Sequence, residues 1–112
     1  MGMDKLAAPS AADMVFKALA DASRRRLLDR LRVKGGLTLN ALCAGMDMSR
    51  QAVTKHLDQL EEAGLVETRR IGRERLHYLN PVPIHDLARR WIRPFEETRL
   101  DALRELKAHL ER

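Results

Sequence analysis

The sequence has one cysteine in 112 residues, so no disulfide can form within the chain. A lone thiol fits a reducing, cytoplasmic setting. Aromatic residues are scarce: they make up 4% of the chain, against 45% for hydrophobic residues as a whole. The core is therefore expected to be built of Leu, Ala, Val, Ile and Met. No apolar run approaches the ~20 residues that a transmembrane helix needs. Met1 to Ala12 lacks the apolar stretch behind a basic start that marks a secretory signal. There is no glycine-rich phosphate loop, no Ser-His-Asp spacing and no carboxylate pair in a catalytic setting, which argues against an enzyme. No internal repeat or linker is visible. A chain of 112 residues makes one small domain with a limited core, and dimerisation would add to it.

What the sequence has in excess is positive charge. Lys and Arg number 21 against 16 Asp and Glu, a net charge of +5. That balance favours a polyanionic partner such as nucleic acid.

One stretch organises the rest. Met48 to Leu60, closed by Glu61-Glu62-Ala63-Gly64-Leu65-Val66, reads as a capped helix. Ser49 supplies an N-cap hydroxyl, and Gly64 can take the left-handed conformation that ends a helix. Val53, His56, Leu57 and Leu60 follow helical spacing and point inward. Arg50, Gln51, Thr54, Lys55 and Asp58 fall on the opposite stripe, whose early part carries donors suited to base edges and phosphates. Taken alone, such a stripe is more often a solvated surface. The preceding segment, Leu37 to Gly45, reads as a short helix capped by Thr38, with Leu39, Leu42 and Cys43 on its apolar side. Helix, short turn and capped helix form the helix-turn-helix arrangement, expected over residues 37–63.

Two β-prone runs follow, Leu65 to Ile71 and Arg75 to Asn80, around the loop Gly72-Arg73-Glu74. They read as a hairpin over residues 65–80. Arg69, Arg70, Arg73 and Arg75 cluster toward its tip. A basic hairpin after a recognition helix is a wing that reaches phosphates or the minor groove. The competing reading makes the arginines gatekeepers that keep an edge hairpin from aggregating.

These motifs carry a resemblance. Ala18 to Leu28 resembles the LADPTRRRIL opening of ArsR/SmtB-type winged-helix repressors, Ser49 to Leu57 is similar to their SQPAVSKHL segment, and Glu62 to Val66 matches their EAGLV. Arg73 to Leu79 looks like their wing's return strand. The resemblance spans roughly residues 14 to 110. It implies a homodimeric DNA-binding repressor that leaves its operator when a signal arrives.

Many members of that family sense metals. One kind of metal site uses a cysteine pair on the helix before the turn; here Thr38 and Asn40 stand in its place. Another uses Asp, His and Glu of the last helix. His85, Asp86, Glu96, Glu97 and His109 are present, but Asp86 has no histidine two residues on and no His-x-x-Glu pair follows. No metal and no cofactor is expected. Cys43 reads as a small buried hydrophobe, with a redox switch as the alternative. His56 reads as a packed, hydrogen-bonded histidine.

The remaining chain is helical by pattern. Residues 1–9 are expected to fray. A first helix covers about 10 to 20, with Met14, Val15, Ala18 and Leu19 apolar. A second, capped by Asp21 or Ser23, runs to about Val33, with Leu27, Leu28 and Leu31 facing in. Its arginines (24, 25, 26, 30 and 32) are expected to face out or sideways, solvated, paired with acids or touching flanking DNA. After the Asn80-Pro81-Val82-Pro83 turn, residues 83–111 carry a long apolar stripe that includes Leu87, Trp91, Ile92, Phe95, Leu100, Leu103 and Leu106, with a kink expected near Pro94. With Met14, those residues form the expected dimer interface.

The expected fold is mainly α with a small β-hairpin: a single winged helix-turn-helix domain with a three-helix core, a two-stranded wing and a long C-terminal dimerisation helix. The expected DNA-contacting residues are Ser49, Arg50, Gln51, Thr54, Lys55, Arg69, Arg70, Arg73 and Arg75. The partners are double-stranded DNA, as an inverted-repeat operator, and a second copy of the chain. A winged-helix module that grips an acidic protein surface is the alternative.

Overall fold

A computed structural model describes residues 10–92 and 97–111. The expected fraying of residues 1–9, the kink at Pro94 and the place of Phe95 lie outside the described residues. The order of elements is α1 (Ala11–Leu19), α2 (Ala22–Val33), α3 (Leu39–Cys43), α4 (Arg50–Glu62), β1 (Val66–Ile71), β2 (Glu74–Leu79), α5 (Val82–Ile92) and α6 (Glu97–Leu110). The fold is a winged helix-turn-helix.

Side-chain caps set where the first four helices begin. Ser10, Asp21, Thr38 and Ser49 each sit in extended backbone and accept from the amide three residues on. Each thereby satisfies one of the free amides at a helix start. Asp21, not Ser23, caps α2. The Arg24 amide bound to its carboxylate holds the Asp21 pKa below its usual value. At the far end of α4, the Gly64 amide donates to Glu61 O at 3.0 Å and the Leu65 amide to Leu60 O at 2.9 Å. This is a Schellman closure, and it needs the φ of +77° that Gly64 adopts.

The core lies where α1, α2, α3, α4 and the base of the wing meet. Leu27, Leu42, Val53, Leu60 and Leu65 are its fully buried side chains. Each such residue contributes about 1.5–3 kcal/mol relative to leaving it in water. Leu87 of α5 joins this core and is 8% exposed. Most of its surface is thus covered within its own chain.

The arginines of α2 differ most from expectation. Arg24 is buried, not outward. Its Nε donates to Ala18 O at 2.8 Å, and its Nη2 donates to Lys17 O at 3.0 Å. Arg25 donates to Leu19 O at 2.6 Å. Arg30 donates to both Leu42 O and Ala41 O, and Arg26 to Gly45 O. The acceptors are carbonyls at or just past the C-terminal ends of α1 and α3, where the negative end of the helix dipole lies. Four of the five α2 arginines thus tie the helix to its neighbours.

The strands pair antiparallel, Val66 with Leu79 through Ile71 with Glu74. The two-residue loop Gly72-Arg73 has φ of +63° at Gly72, which fits a type II′ turn. His77 is buried and anchors the hairpin. Its backbone amide donates to Leu37 O, its Nδ1 donates to the same oxygen at 2.9 Å, and its own carbonyl accepts from the Gly36 amide at 2.8 Å. The wing is thus fastened to the segment between α2 and α3.

Candidate nucleic-acid interface

α3 packs beneath α4, and Met46 at the turn between them is buried. Val53, Leu57 and Leu60 fix α4 from below, so its opposite side must face solvent. Ser49, Arg50, Gln51, Thr54, Lys55 and Asp58 are all exposed there. Of the inward residues, His56 is only half buried. Its Nδ1 lies 3.3 Å from Arg24 Nη1, which donates to it. This contact links the recognition helix to the helix that holds α1 in place.

The outward donors are not all free. Thr54 Oγ1 donates to Arg50 O at 2.9 Å, its own helix's backbone. The Arg50 guanidinium donates to Asn40 Oδ1 on α3. Asn40 and Arg50 thus meet across the turn, a pairing that local sequence spacing does not reveal. Gln51 and Lys55 make no side-chain hydrogen bond among the described residues.

The wing arginines are exposed but sit on different faces. Directly opposed residues of a strand pair share a face. Arg70 therefore shares one with Arg75, together with Thr68 and His77; Arg69 lies on the other, opposite Leu76. Arg73 is at the tip. Arg75 is paired: its Nη2 lies 2.7 Å from Glu61 Oε1 at the end of α4. Between α4 and the wing runs an open cleft of ≈ 350 Å³ lined by Asn40, Arg50, Thr54, Asp58, Glu61, Arg73, Glu74 and Arg75 among others. Glu61 was not among the expected site residues; an acid fourteen positions before its arginine partner gives no periodic signal.

Elsewhere, Cys43 is half buried at the end of α3 and packs against the core. Among the described residues no three His, Cys, Asp or Glu side chains gather as a metal site. No described helix is long and apolar enough to cross a membrane. Of the residues expected at a dimer interface, Met14 and Leu100 are half buried, whereas Trp91 (58%), Ile92 (48%), Leu103 (54%) and Leu106 (53%) are well exposed. Phe16 of α1 joins them, with its ring centroid 6.2 Å from that of Trp91.

Comparison with known proteins agrees with this geometry. A helix-turn-helix domain family matches residues 19–69. The HTH-type transcriptional regulator YuzN of Bacillus subtilis, itself uncharacterized, is 41% identical over 86 residues, covering 71% of this chain and 94% of that protein. The HTH-type transcriptional regulator Rv2034 of Mycobacterium tuberculosis is 38% identical over 85 residues, covering 72% of this chain and 78% of that protein. The solved structure of an ArsR-like transcriptional regulator from Rhodococcus sp. RHA1 superposes with a TM-score of 0.68 at 32% identity, over 86% of this chain and 92% of that one. Matching sequence, matching fold and a capped helix with an outward donor stripe agree: the chain belongs to the ArsR/SmtB-type family of winged helix-turn-helix, DNA-binding transcriptional regulators.

Proposed function

We propose that this regulator is a homodimeric repressor that binds an inverted-repeat operator, α4 entering the major groove and the wing gripping the flanking backbone. The observation that carries the reading is the exposed stripe of Arg50, Gln51, Thr54 and Lys55 on a helix fixed from below and capped at both ends. A held helix presents its donors at defined spacing, which base recognition requires. The dimeric part rests on the exposed apolar residues of α1, α5 and α6, a patch of the kind that marks an interface. A two-fold axis between two copies sets the recognition helices ~34–36 Å apart, one turn of DNA. Repression follows the family resemblance: a dimer seated on a promoter blocks access to it. Sedimentation of the free protein, together with footprinting on its own promoter region, tests the reading. A monomer, or a footprint without two-fold symmetry, would overturn it.

Two substitutions separate base reading from backbone contact. Gln51→Ala is expected to weaken binding to the operator by ~1–3 kcal/mol, with little effect on random duplex. Equal losses on both would place Gln51 on phosphate. Arg73→Ala, at the wing tip, is expected to weaken binding on every sequence and lower the salt slope by about 1. An unchanged slope would remove the wing tip from the interface and leave its arginine as a gatekeeper.

A further inference from the structure

Asn40 lies in the first turn of α3 and Arg50 in the first turn of α4, with the turn of the helix-turn-helix between them. Both residues are exposed, and Arg50 Nη1 donates to Asn40 Oδ1. The amide must present its oxygen there, because a guanidinium offers donors only. Among the described residues this is the one hydrogen bond that the Arg50 guanidinium makes. A guanidinium carries its N–H donors in a rigid planar fork, and the contact uses only the Nη1 corner. The Nε and Nη2 donors lie along another edge, which stays free for two parallel bonds.

Guanine shows two acceptors, O6 and N7, in the major groove, and a free Nε–Nη2 edge matches them. Nη1 then has no acceptor on that base. Once α4 enters the groove and water leaves, a charged donor without a partner is costly. Asn40 supplies the acceptor, and the contact survives in the complex because the base takes the other edge. Being neutral, Asn40 leaves the arginine its full charge toward the DNA. It also selects one of many rotamers of a long side chain before DNA arrives, and ordering such a side chain otherwise counts against binding. We propose, on the DNA-binding reading above, that Asn40 is a positioning residue for base recognition, holding Arg50 so that its Nε–Nη2 edge meets a guanine.

The test uses the whole chain with a random-sequence duplex and an inverted-repeat duplex recovered by the wild-type protein from a randomised pool. Copies of the selected duplex, each with one base pair changed in both half-sites, complete the set. Arg50→Ala identifies the pair that Arg50 reads, as the G·C pair whose replacement no longer matters to that variant. Asn40→Ala is expected to bind the selected duplex about tenfold less tightly, with the lost discrimination confined to the same base pair. Its affinity for the random duplex should change by less than about twofold. Alanine is the strongest helix former and Asn40 is exposed, so α3 keeps its structure. Asn40→Asp, which keeps an acceptor in place, should retain the preference at that pair while weakening both duplexes alike through its charge. In an Arg50→Ala background, Asn40→Ala should have no further effect. A loss that persists without Arg50 would mean that Asn40 touches DNA itself or only supports the fold. An equal loss on both duplexes would place Arg50 on phosphate. Either result would overturn the proposal while leaving DNA binding intact. So would an Arg50→Ala variant that singles out no base pair, an Asn40→Ala protein of wild-type affinity, a preference lost at another pair, or an Asp variant that discriminates no better than Ala. A wild-type protein that bound neither duplex would overturn the DNA-binding reading, and this inference with it.

Discussion

Leu103→Glu is expected to give a folded monomer whose affinity for the operator is lower by more than about 100-fold. Leu103, Leu106 and Leu110 recur along one side of α6, and each is at least 53% exposed. Every residue from Asp101 to Leu110 is exposed in the isolated chain, so a glutamate at 103 displaces no core packing among the described residues. In a two-fold dimer the same glutamate would enter an apolar seam opposite its symmetry mate, and a desolvated, unpaired carboxylate is costly there. Once the copies separate, each half-site is held by one recognition helix alone, and the gain from linking two binding events is lost. Sedimentation equilibrium and operator titration, run on the same sample, check both parts. A Leu103→Glu monomer that bound the operator like wild type would show that α6 does not assemble the DNA-binding unit. A Leu103→Glu protein that stayed dimeric would move the seam to the α1 and α5 residues Phe16, Trp91 and Ile92, which are also exposed.

Arg24→Ala is expected to destabilise the fold by about 2–4 kcal/mol, from three lost hydrogen bonds donated by a charged group and the acceptors left behind. In a domain of this size that corresponds to a fall in Tm of roughly 10 °C or more. The Arg24 side chain is 9% exposed, and its guanidinium reaches the C-terminal carbonyls of α1 at Lys17 and Ala18 as well as His56 Nδ1 on α4. Three helices therefore converge on one planar group. Arg24→Lys should recover only part of the loss, because an ammonium cannot present the guanidinium's forked donors to two carbonyls at once. Arg25→Ala, which removes one bond from an exposed side chain, should stay within about 1 kcal/mol of wild type. Urea denaturation of the three variants measures the order. An Arg24→Ala protein within about 0.5 kcal/mol of wild type, an ordinary surface effect, would show that Arg24 does not bind the helices together.

The features legible from residue order are those that physical chemistry settles over short separations. Ser49 and Thr38 cap helices through amides three residues away, Gly64 ends α4 within the same turn, and Gly72 turns the wing. Helical spacing likewise placed Val53, Leu57 and Leu60 inside and Arg50, Gln51, Thr54 and Lys55 outside. The destinations of the long, flexible cations are set by the packing of distant elements. Arg24 and Arg30 lie in a helix whose pattern turns them toward solvent, yet both end on helix C-termini that the fold brings within reach. Arg75 reads as a free wing cation until α4 lays Glu61 beside it, and Leu87 of α5 joins the core of the other helices. A cap satisfies a backbone group of its own turn and so leaves a pattern in sequence. An arginine side chain spans several ångströms with many rotamers, so its partner depends on which elements lie near it in space. That proximity is created by burial of the core, not by the residues next to it in the chain.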